Sequence, residues 1–341
     1  MTKNNDATKK HTFLWDFVIP IVLGLLLAFL TGRFIFHVLE IRFSTLGNVF
    51  LYLFFYFMMN AIIGKIRRDP KSGKPQRHPA QDWPRSGPIG SLGVYGMSFT
   101  FYPTAMLSVL NPWQFIQQMK QLVGMAKISK RLDSKPDYYM QYQTKVDYVY
   151  PFKGEWLIIN GGYTEQTSHS WGVLTQRYAF DFVKADKAYK RHFNKGTKLA
   201  DYYCYEQPIN AAADGEVISV KNGINPAPLV GWGVADFLCL HFAGNHVIIK
   251  HADGEYGFYA HLVRDSIPLK PGDIVKQGDL IGLCGHTGHS TEPHLHFHLQ
   301  DGPNLFTAMG LPIEFNQQRI ERGHFVSNPE PGVSLVREDA L

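Results

Sequence analysis

Two uninterrupted apolar segments dominate the pattern at the start of the chain. Residues 43–64 contain no charged side chain over 22 positions, and residues 17–32 contain none over 16. A membrane-crossing helix needs about 20 apolar residues. The shorter segment reaches that length when Asp16 or Arg33 lies at the level of the lipid headgroups. The pattern therefore predicts an N-terminal membrane anchor, residues 1–64, with two transmembrane helices.

A cleaved signal peptide is the alternative for the first segment, because Lys3, Lys9 and Lys10 precede it. No small-residue cleavage site follows before Arg33, and the second apolar segment comes directly afterwards. We therefore favour an uncleaved anchor. Its Lys-bearing tail then stays in the cytoplasm by the positive-inside tendency, and residues 33–42 form a short external loop.

Residues 65–85 are a basic, proline-containing stretch with seven Lys or Arg against two Asp. Without periodicity, this composition predicts an exposed linker near anionic headgroups. Membrane proximity already accounts for the charge, so we expect no nucleic-acid partner.

Residues 86–137 are a connector whose first 34 positions, 86–119, carry no charge. Because this part contains Pro103 and Pro112, it could be a third, irregular span or a re-entrant or interfacial piece. The number of spans decides on which side of the membrane the C-terminal part of the chain lies. Two spans leave that part in the cytoplasm with the N-terminus, whereas three spans, or two with reversed orientation, place it outside.

Short alternating segments separated by Gly, Asp and Asn turns begin at residue 138, as in EWLII, GEVISV and YGFYAHL. This pattern predicts a mainly β, antiparallel domain over residues 138–325, followed by a tail, residues 326–341. A chain of 341 residues with 45% apolar content has room for one or two such domains. Cys204, Cys239 and Cys284 are an odd set at unrelated spacings, so we expect buried thiols and no disulfide framework.

Histidines concentrate in the segment that ends at Leu299. His294, His296 and His298 alternate with Leu295, Phe297 and Leu299, so a strand places the imidazoles on one face and the apolar residues on the other. Residues two apart on a strand lie roughly 7 Å from each other, so His294 and His296 could meet at one metal ion and its water. His298 should lie too far away to bind the same ion. A solvated polar strand face is the simpler alternative.

The surrounding sequence, GLCGHTGHSTEPHLHFHL, resembles the GxTGxSTxxHLHF signature of the lysostaphin-type (LytM-like) zinc endopeptidases. The resemblance covers about residues 150–303. It implies a lysostaphin-like antiparallel sheet, related to the β core of biotinyl and lipoyl carriers, and a single zinc ion as cofactor. A carrier would display a Lys at a hairpin tip, but the tip at residues 252–255 reads Ala-Asp-Gly-Glu.

By motif position the resemblance also implies the roles of the site residues. His296 and Asp181 bind zinc, His294 acts as general base, and His261 in YAHL stabilises the developing oxyanion. The family's HxxxD motif appears here as Arg177-Tyr-Ala-Phe-Asp181, and a guanidinium cannot bind a cation. Either His169, in the preceding loop, supplies the missing ligand, or the domain is a metal-free pseudoenzyme.

The hairpin register adds one more histidine to the expected site. A two-residue turn at Asp253 and Gly254 would place His246 opposite His261 on one face. His246 could equally be a polar surface residue. His286 and His289, in the loop before the histidine strand, could touch substrate, but we expect them to be solvated.

The interpretation is a membrane-anchored zinc metallo-endopeptidase that hydrolyses peptide bonds of peptidoglycan, in stem peptides or cross-bridges. Its partners would be peptidoglycan peptide and the lipid bilayer of a bacterial cell. Because the substrate lies outside, we favour a multi-pass protein whose peptidase domain is extracytoplasmic. The alternatives are an inactive domain of the same fold that binds cell-wall peptide or activates a partner hydrolase, and a metallopeptidase acting on a protein.

Overall fold

The computed structural model describes residues 19–45, parts of 47–59, and residues 86–92 and 100–329 except 102, 135–138 and 140. The chain forms two units, residues 1–76 and residues 77–341. The first contains helix α1, Ile19–Leu39, and the second contains helix α2, Pro112–Ser134, together with all the strands.

Helix α1 is apolar on all sides. Within it, Ile21–Leu39 has a mean hydropathy of 2.1 and, among the described residues, is the one helical segment long and apolar enough to cross a membrane. The sequence pattern places Arg33 in a loop, but the helix continues through Arg33 to Leu39. Half of the positions in the second predicted span, residues 43–64, fall outside the described residues. Multi-pass insertion is therefore not supported.

Helix α2 begins at a cap that the sequence encodes. The Trp113 backbone N–H donates to Asn111 Oδ1 at 3.0 Å, and Pro112 occupies the first helical position, where no N–H is needed. The segment before it is tied to a loop of the β domain, since Thr100 Oγ1 donates to the Gly233 carbonyl and the Ala235 N–H donates to Thr104 Oγ1. The described part of residues 86–119 thus lies on the β domain, and the third span expected there is not supported.

Nine strands in the described residues form one antiparallel sheet, and two more pair separately. The strands are β1 Trp156–Asn160, β2 Phe180–Val183, β3 Pro208–Asn210, β4 Gly215–Lys221, β5 Asn245–Ala252, β6 Glu255–Leu262, β7 Ile274–Val275, β8 Leu280–Leu283, β9 Leu295–Gln300, β10 Gly310–Leu311 and β11 Phe325–Val326. The large sheet runs in the order β11-β1-β2-β9-β6-β5-β4-β7, with β10 also on β9, while β3 pairs with β8. The mainly antiparallel β architecture predicted from the sequence is confirmed.

The hairpin of β5 and β6 turns at Asp253 and Gly254 as predicted, but its register differs from the expected one. Val247 pairs with Tyr259, because irregularities interrupt the ladder near the turn and again beside His246. Each irregularity shifts the pairing by one residue. The second irregularity sets both Ala260 and His261 against His246, so the expected one-to-one pair of His246 with His261 does not form. The His246 ring packs on Phe258 at 5.0 Å and beside His241 at 4.8 Å between centroids.

Strand β9 is buried on both faces. Leu295, Phe297 and Leu299 are fully buried in the main core, as the alternation predicts. The opposite face is also covered, with His296 6% exposed and His298 fully buried. The histidines thus do not form a solvated strand face, and they need polar partners inside the fold.

Candidate active site

Three neighbouring strands bring polar residues together at one level of the sheet, and β6 lies beside them. Asn160 on β1 pairs with Asp181 on β2, Asp181 pairs with His296 on β9, and His296 pairs with Ala260 on β6. Side chains at directly paired positions lie within about 5.5 Å of each other. The sheet register therefore places Asp181 between an amide and an imidazole.

Asp181 is the centre of the cluster. Its Oδ1 lies 2.9 Å from His296 Nδ1 and 3.7 Å from His294 Nε2. Its Oδ2 accepts a hydrogen bond from Asn160 Nδ2 at 3.1 Å and lies 3.5 Å from His169 Nε2. The structure thus brings together His169, Asp181, His294 and His296.

His169 comes from the loop between β1 and β2, and hydrogen bonds on either side fix that loop. Ser168 Oγ donates to the Arg177 carbonyl at 2.8 Å, and Ser170 Oγ donates to the Gln176 carbonyl at 2.6 Å. The His169 side chain is 33% exposed, whereas that of Asp181 is 5% exposed. His169 therefore lies on the solvent side of the cluster.

Arg177, which was compared by resemblance with a ligand histidine, contacts Trp171. Its Nε donates to the Trp171 carbonyl at 3.1 Å, and its guanidinium lies 4.7 Å from the centre of the Trp171 ring. This cation–π contact and hydrogen bond account for the position of the guanidinium.

A chain of hydrogen bonds fixes the tautomer of His296. Gln300 Nε2 donates to the Gly302 carbonyl at 2.7 Å, which orients Gln300 Oε1 as an acceptor for His298 Nε2–H at 3.0 Å. Neutral His298 then accepts at Nδ1 from His296 Nε2–H at 3.1 Å. A neutral His296 thus carries its lone pair on Nδ1, the atom that faces the Asp181 carboxylate. Two acceptors this close require a cation between them, either a proton or a metal ion.

His261 and His294 are held in the other tautomer from His296. His261 Nδ1–H donates to the Thr287 carbonyl at 2.7 Å, and His294 Nδ1–H donates to the Glu292 carbonyl at 2.8 Å. Each neutral ring therefore has its lone pair on Nε2. The two ring centroids lie 4.7 Å apart, and His261 lies 5.8 Å from His296.

The backbone at the end of β6 directs His261 toward this group. His261 has a φ of 63°, which is uncommon for a residue other than glycine. Such a conformation is held by surrounding contacts and is typical of functional positions. The irregular pairing here changes the direction of the side chain, and a regular hairpin register does not predict that change.

Burial and charge set the protonation states. Burial lowers the pKa of His261 well below its ordinary value, and the neighbouring His294 and His296 lower it further. Burial also lowers the pKa of His169, against the opposing effect of Asp181. Burial alone would raise the pKa of Asp181, but the adjacent histidines outweigh it, so the pKa of this carboxyl lies below its usual range. The site thus combines the Asp181 carboxylate with two imidazoles, His169 and His261, whose neutral form is favoured by burial.

Sequence reasoning missed several groups that support the site. Asn160 holds Asp181, Gln300 and His298 orient His296, and a buried ion pair between Arg191 and Glu292 fixes the segment whose carbonyl holds His294. The signal for Gln300 is readable, since residues 294, 296, 298 and 300 continue one alternating face. His286, expected to be solvated, is 1% exposed and bonds Ser290 Oγ at 2.8 Å. His289, also expected to be solvated, bonds Gln114 Oε1 at 2.7 Å.

The donor types fit a zinc ion, because two imidazoles and a carboxylate are common zinc ligands and leave a fourth position open. In the present arrangement, no three His, Cys, Asp or Glu of the described residues have the spacing that holds a metal ion. His296 Nδ1 and Asp181 Oδ1 lie 2.9 Å apart, at hydrogen-bond distance. Two ligands of one tetrahedral zinc lie about 3.3 Å apart, given zinc–ligand distances near 2.05 Å.

Comparisons with known proteins give the site its context. The DD-endopeptidase ShyB of Vibrio cholerae is 36% identical over 132 residues, which are 38% of this chain and 26% of ShyB. ShyA of the same organism is 29% identical over 137 residues, 39% of this chain and 27% of ShyA. Lysostaphin of Staphylococcus simulans is 33% identical over 91 residues, 26% of this chain and 15% of that protein. The chain thus matches about a quarter or less of these relatives' own length.

Among solved structures, lysostaphin in solution aligns with 45% of this chain and 47% of its own, at 21% identity and a TM-score of 0.29. The relationship therefore rests on the sequence matches. Residues 192–307 match Peptidase family M23. That range includes His261, His294 and His296 and begins after His169 and Asp181. The chain therefore contains a domain of Peptidase family M23.

Proposed function

We propose that the cluster around Asp181 is the active site of a zinc-dependent endopeptidase that hydrolyses peptide bonds of peptidoglycan. One observation carries the proposal. The hydrogen-bond chain from Gln300 through His298 directs the His296 Nδ1 lone pair at a buried carboxylate, an arrangement that calls for a cation. His169, on the other carboxylate oxygen, supplies a third donor from a separate loop.

His169, Asp181 and His296 would hold the metal, and Asn160 would orient the carboxylate through its hydrogen bond to Oδ2. A zinc ion bound there supplies Lewis-acid chemistry toward a scissile carbonyl and its attacking water. Asp181 is the only one of the three protein donors with a charge, so it partly balances the dication.

His294 is the proposed general base. Its Nδ1–H is engaged by the Glu292 carbonyl, so Nε2 is the atom that accepts the proton of the attacking water. His261 shares this tautomer, and its pKa lies well below the ordinary value. His261 Nε2 would therefore donate to a developing oxyanion only when it carries a proton, and the proton that His294 takes from the water would be its source.

The proposed substrate follows from the relatives that share the domain. ShyA and ShyB are peptidoglycan DD-endopeptidases, and the similar ALE-1 of Staphylococcus capitis is a glycyl-glycine endopeptidase. Helix α1 would anchor the chain in the bacterial membrane, with the peptidase domain outside the cytoplasm, where peptidoglycan lies.

A second candidate is an inactive domain of the same fold that binds cell-wall peptide. Two observations favour it: Arg177 stands where the family motif has a metal ligand, and no three donors of the described residues are spaced for a metal. Hydrolysis of substrate separates the two functions.

The test uses the full chain in detergent, loaded with zinc and incubated with purified peptidoglycan sacculi. We expect release of soluble peptide fragments, and loss of that release in His294→Ala and in His261→Ala. His324→Ala is the matched control, because His324 is exposed and its Nδ1 bonds only the nearby Glu321 carbonyl. Binding of sacculi without any release by the zinc-loaded chain would favour the inactive domain.

A further inference from the structure

The first three turns of helix α2 are oriented with glutamines inward and apolar side chains outward. The buried stripe consists of Gln114, Gln117, Gly124 and Ile128. The opposite side, here called the outer face, exposes large apolar side chains: Trp113, Phe115, Ile116, Met119, Leu122 and Val123. Trp113 and Leu122 are each 62% exposed. A surface helix of a protein surrounded by water normally has the reverse polarity.

Hydrogen bonds fix this orientation. Gln114 Nε2 donates to the Asp236 and Cys239 carbonyls at 2.8 and 2.9 Å, and Gln117 Nε2 donates to the Leu240 carbonyl at 2.8 Å. Further along the helix, Gln121 Nε2 donates to Thr175 Oγ1 at 2.9 Å. A β-carbon on Gly124 would overlap the Phe306 carbonyl, so the helix contacts the domain closely there. Rotating the helix to hide its apolar side would break these bonds.

The loop that receives these bonds also exposes apolar side chains. Leu238 and Leu240 are 69% and 60% exposed, and their loop is held against the start of the helix by Asn111, Gln114 and Gln117. Several large apolar side chains exposed together on one helix mark an interaction site.

Charge on the helix indicates the partner. Trp113, Ile116, Lys120, Val123, Lys127 and Lys130 are spaced by three or four residues and so lie along one side of the helix. Along that side Trp113 and Ile116 come first, Lys120 and Val123 follow, and Lys127 and Lys130 come last. The helix has four Lys or Arg and a single acidic residue, Asp133. An apolar surface with an exposed Trp and flanking lysines fits the interface of an anionic lipid bilayer.

We propose that the outer face of α2 docks on the lipid bilayer, so that the peptidase domain lies against the membrane surface. This rests on the proposed anchoring by α1, which keeps the domain near the membrane and thus makes a weak surface contact effective. The glutamines of the buried stripe then fix the helix on the domain and leave its outer face available to lipid.

The test places the full chain in nanodiscs containing phosphatidylglycerol and attaches an environment-sensitive fluorophore at single introduced cysteines. Labelling is selective, since Cys204, Cys239 and Cys284 are buried. Ile116→Cys and Leu122→Cys report on the outer face. Ile274→Cys is the matched control, an exposed apolar residue on the edge strand β7.

We expect a lipid-borne quencher to reduce emission at positions 116 and 122 roughly two-fold or more relative to position 274. Equal quenching of all three labels by aqueous iodide would overturn the proposal. Protection of 116 and 122 that depends on protein concentration and not on the lipid quencher would also overturn it, in favour of a second copy. A label at Phe29→Cys in α1 reports on the anchor, so failure of anchoring is distinguished from failure of docking.

Discussion

The hydrogen-bond chain behind His296 predicts a particular effect of substitutions at Gln300. Gln300→Leu removes the acceptor for His298 Nε2–H and the donor to the Gly302 carbonyl. His298 is fully buried, so its N–H either stays unpaired, at a cost of about 1–3 kcal/mol, or the ring changes tautomer. In the second case His298 no longer accepts a hydrogen bond from His296 Nε2–H. The tautomer of His296 with its lone pair on Nδ1 is then no longer fixed.

Loss of such a supporting hydrogen bond typically lowers metal affinity 10–100-fold, or by about 1.4–2.7 kcal/mol. Gln300→Glu is the matched variant. It also removes the donor to Gly302 but keeps an oxygen that accepts from His298. We therefore expect zinc affinity, measured by competition with a chelating dye, to fall in Gln300→Leu and to be largely retained in Gln300→Glu.

Long-range nitrogen–proton NMR of the imidazoles gives an independent readout, because it identifies which ring nitrogen of His296 carries the proton. Equal zinc affinity in the Leu variant and the unmutated chain, or equal loss in both variants, would refute the proposed role of the tautomer.

Three further predictions concern other groups. Arg177→Ala should keep its zinc and lose only about 1 kcal/mol of unfolding free energy, because the guanidinium stacks on Trp171; loss of metal would make Arg177 part of the site. Burial lowers the pKa of His246 to about 3, so its stabilising contribution is complete above about pH 6.5 and declines as pH falls toward 3. Urea titrations at pH 7.5 and pH 5.5 measure the unfolding free energy of each chain. On going from pH 7.5 to 5.5, His246→Asn should lose about 1.4 kcal/mol less unfolding free energy than the unmutated chain. Equal losses in the two chains would count against a buried neutral imidazole. A topology reporter fused after Leu341 should be active outside the cytoplasm, and activity inside would contradict a peptidoglycan substrate.

Local alternation was sufficient to predict the histidine strand. The positions of Leu295, Phe297 and Leu299 require one apolar face, and the structure buries it as expected. The motif position of Asp181 and the loop position of His169 led to residues that the fold does bring together. Their roles as metal ligands stay predictions.

The parts that could not be predicted depend on contacts distant in sequence. The hairpin rule assumes an unbroken ladder, whereas β5 and β6 pair with two irregularities, so the predicted direct pair of His246 with His261 does not form. Residues 86–119 suggested a membrane span because they carry no charge. The absence of charge conceals the polar amides and hydroxyls among their side chains. In the fold, Thr100, Asn111 and Gln114 use those groups to bond the 233–240 loop.

The central claim is that Asp181, His169 and His296 form a zinc site, and zinc content of the purified full chain tests it most directly. We expect close to one zinc ion per chain, lost in His169→Ala, Asp181→Ala and His296→Ala and retained in His294→Ala and His324→Ala. An unmutated chain that remains free of zinc after incubation with the metal would contradict the claim.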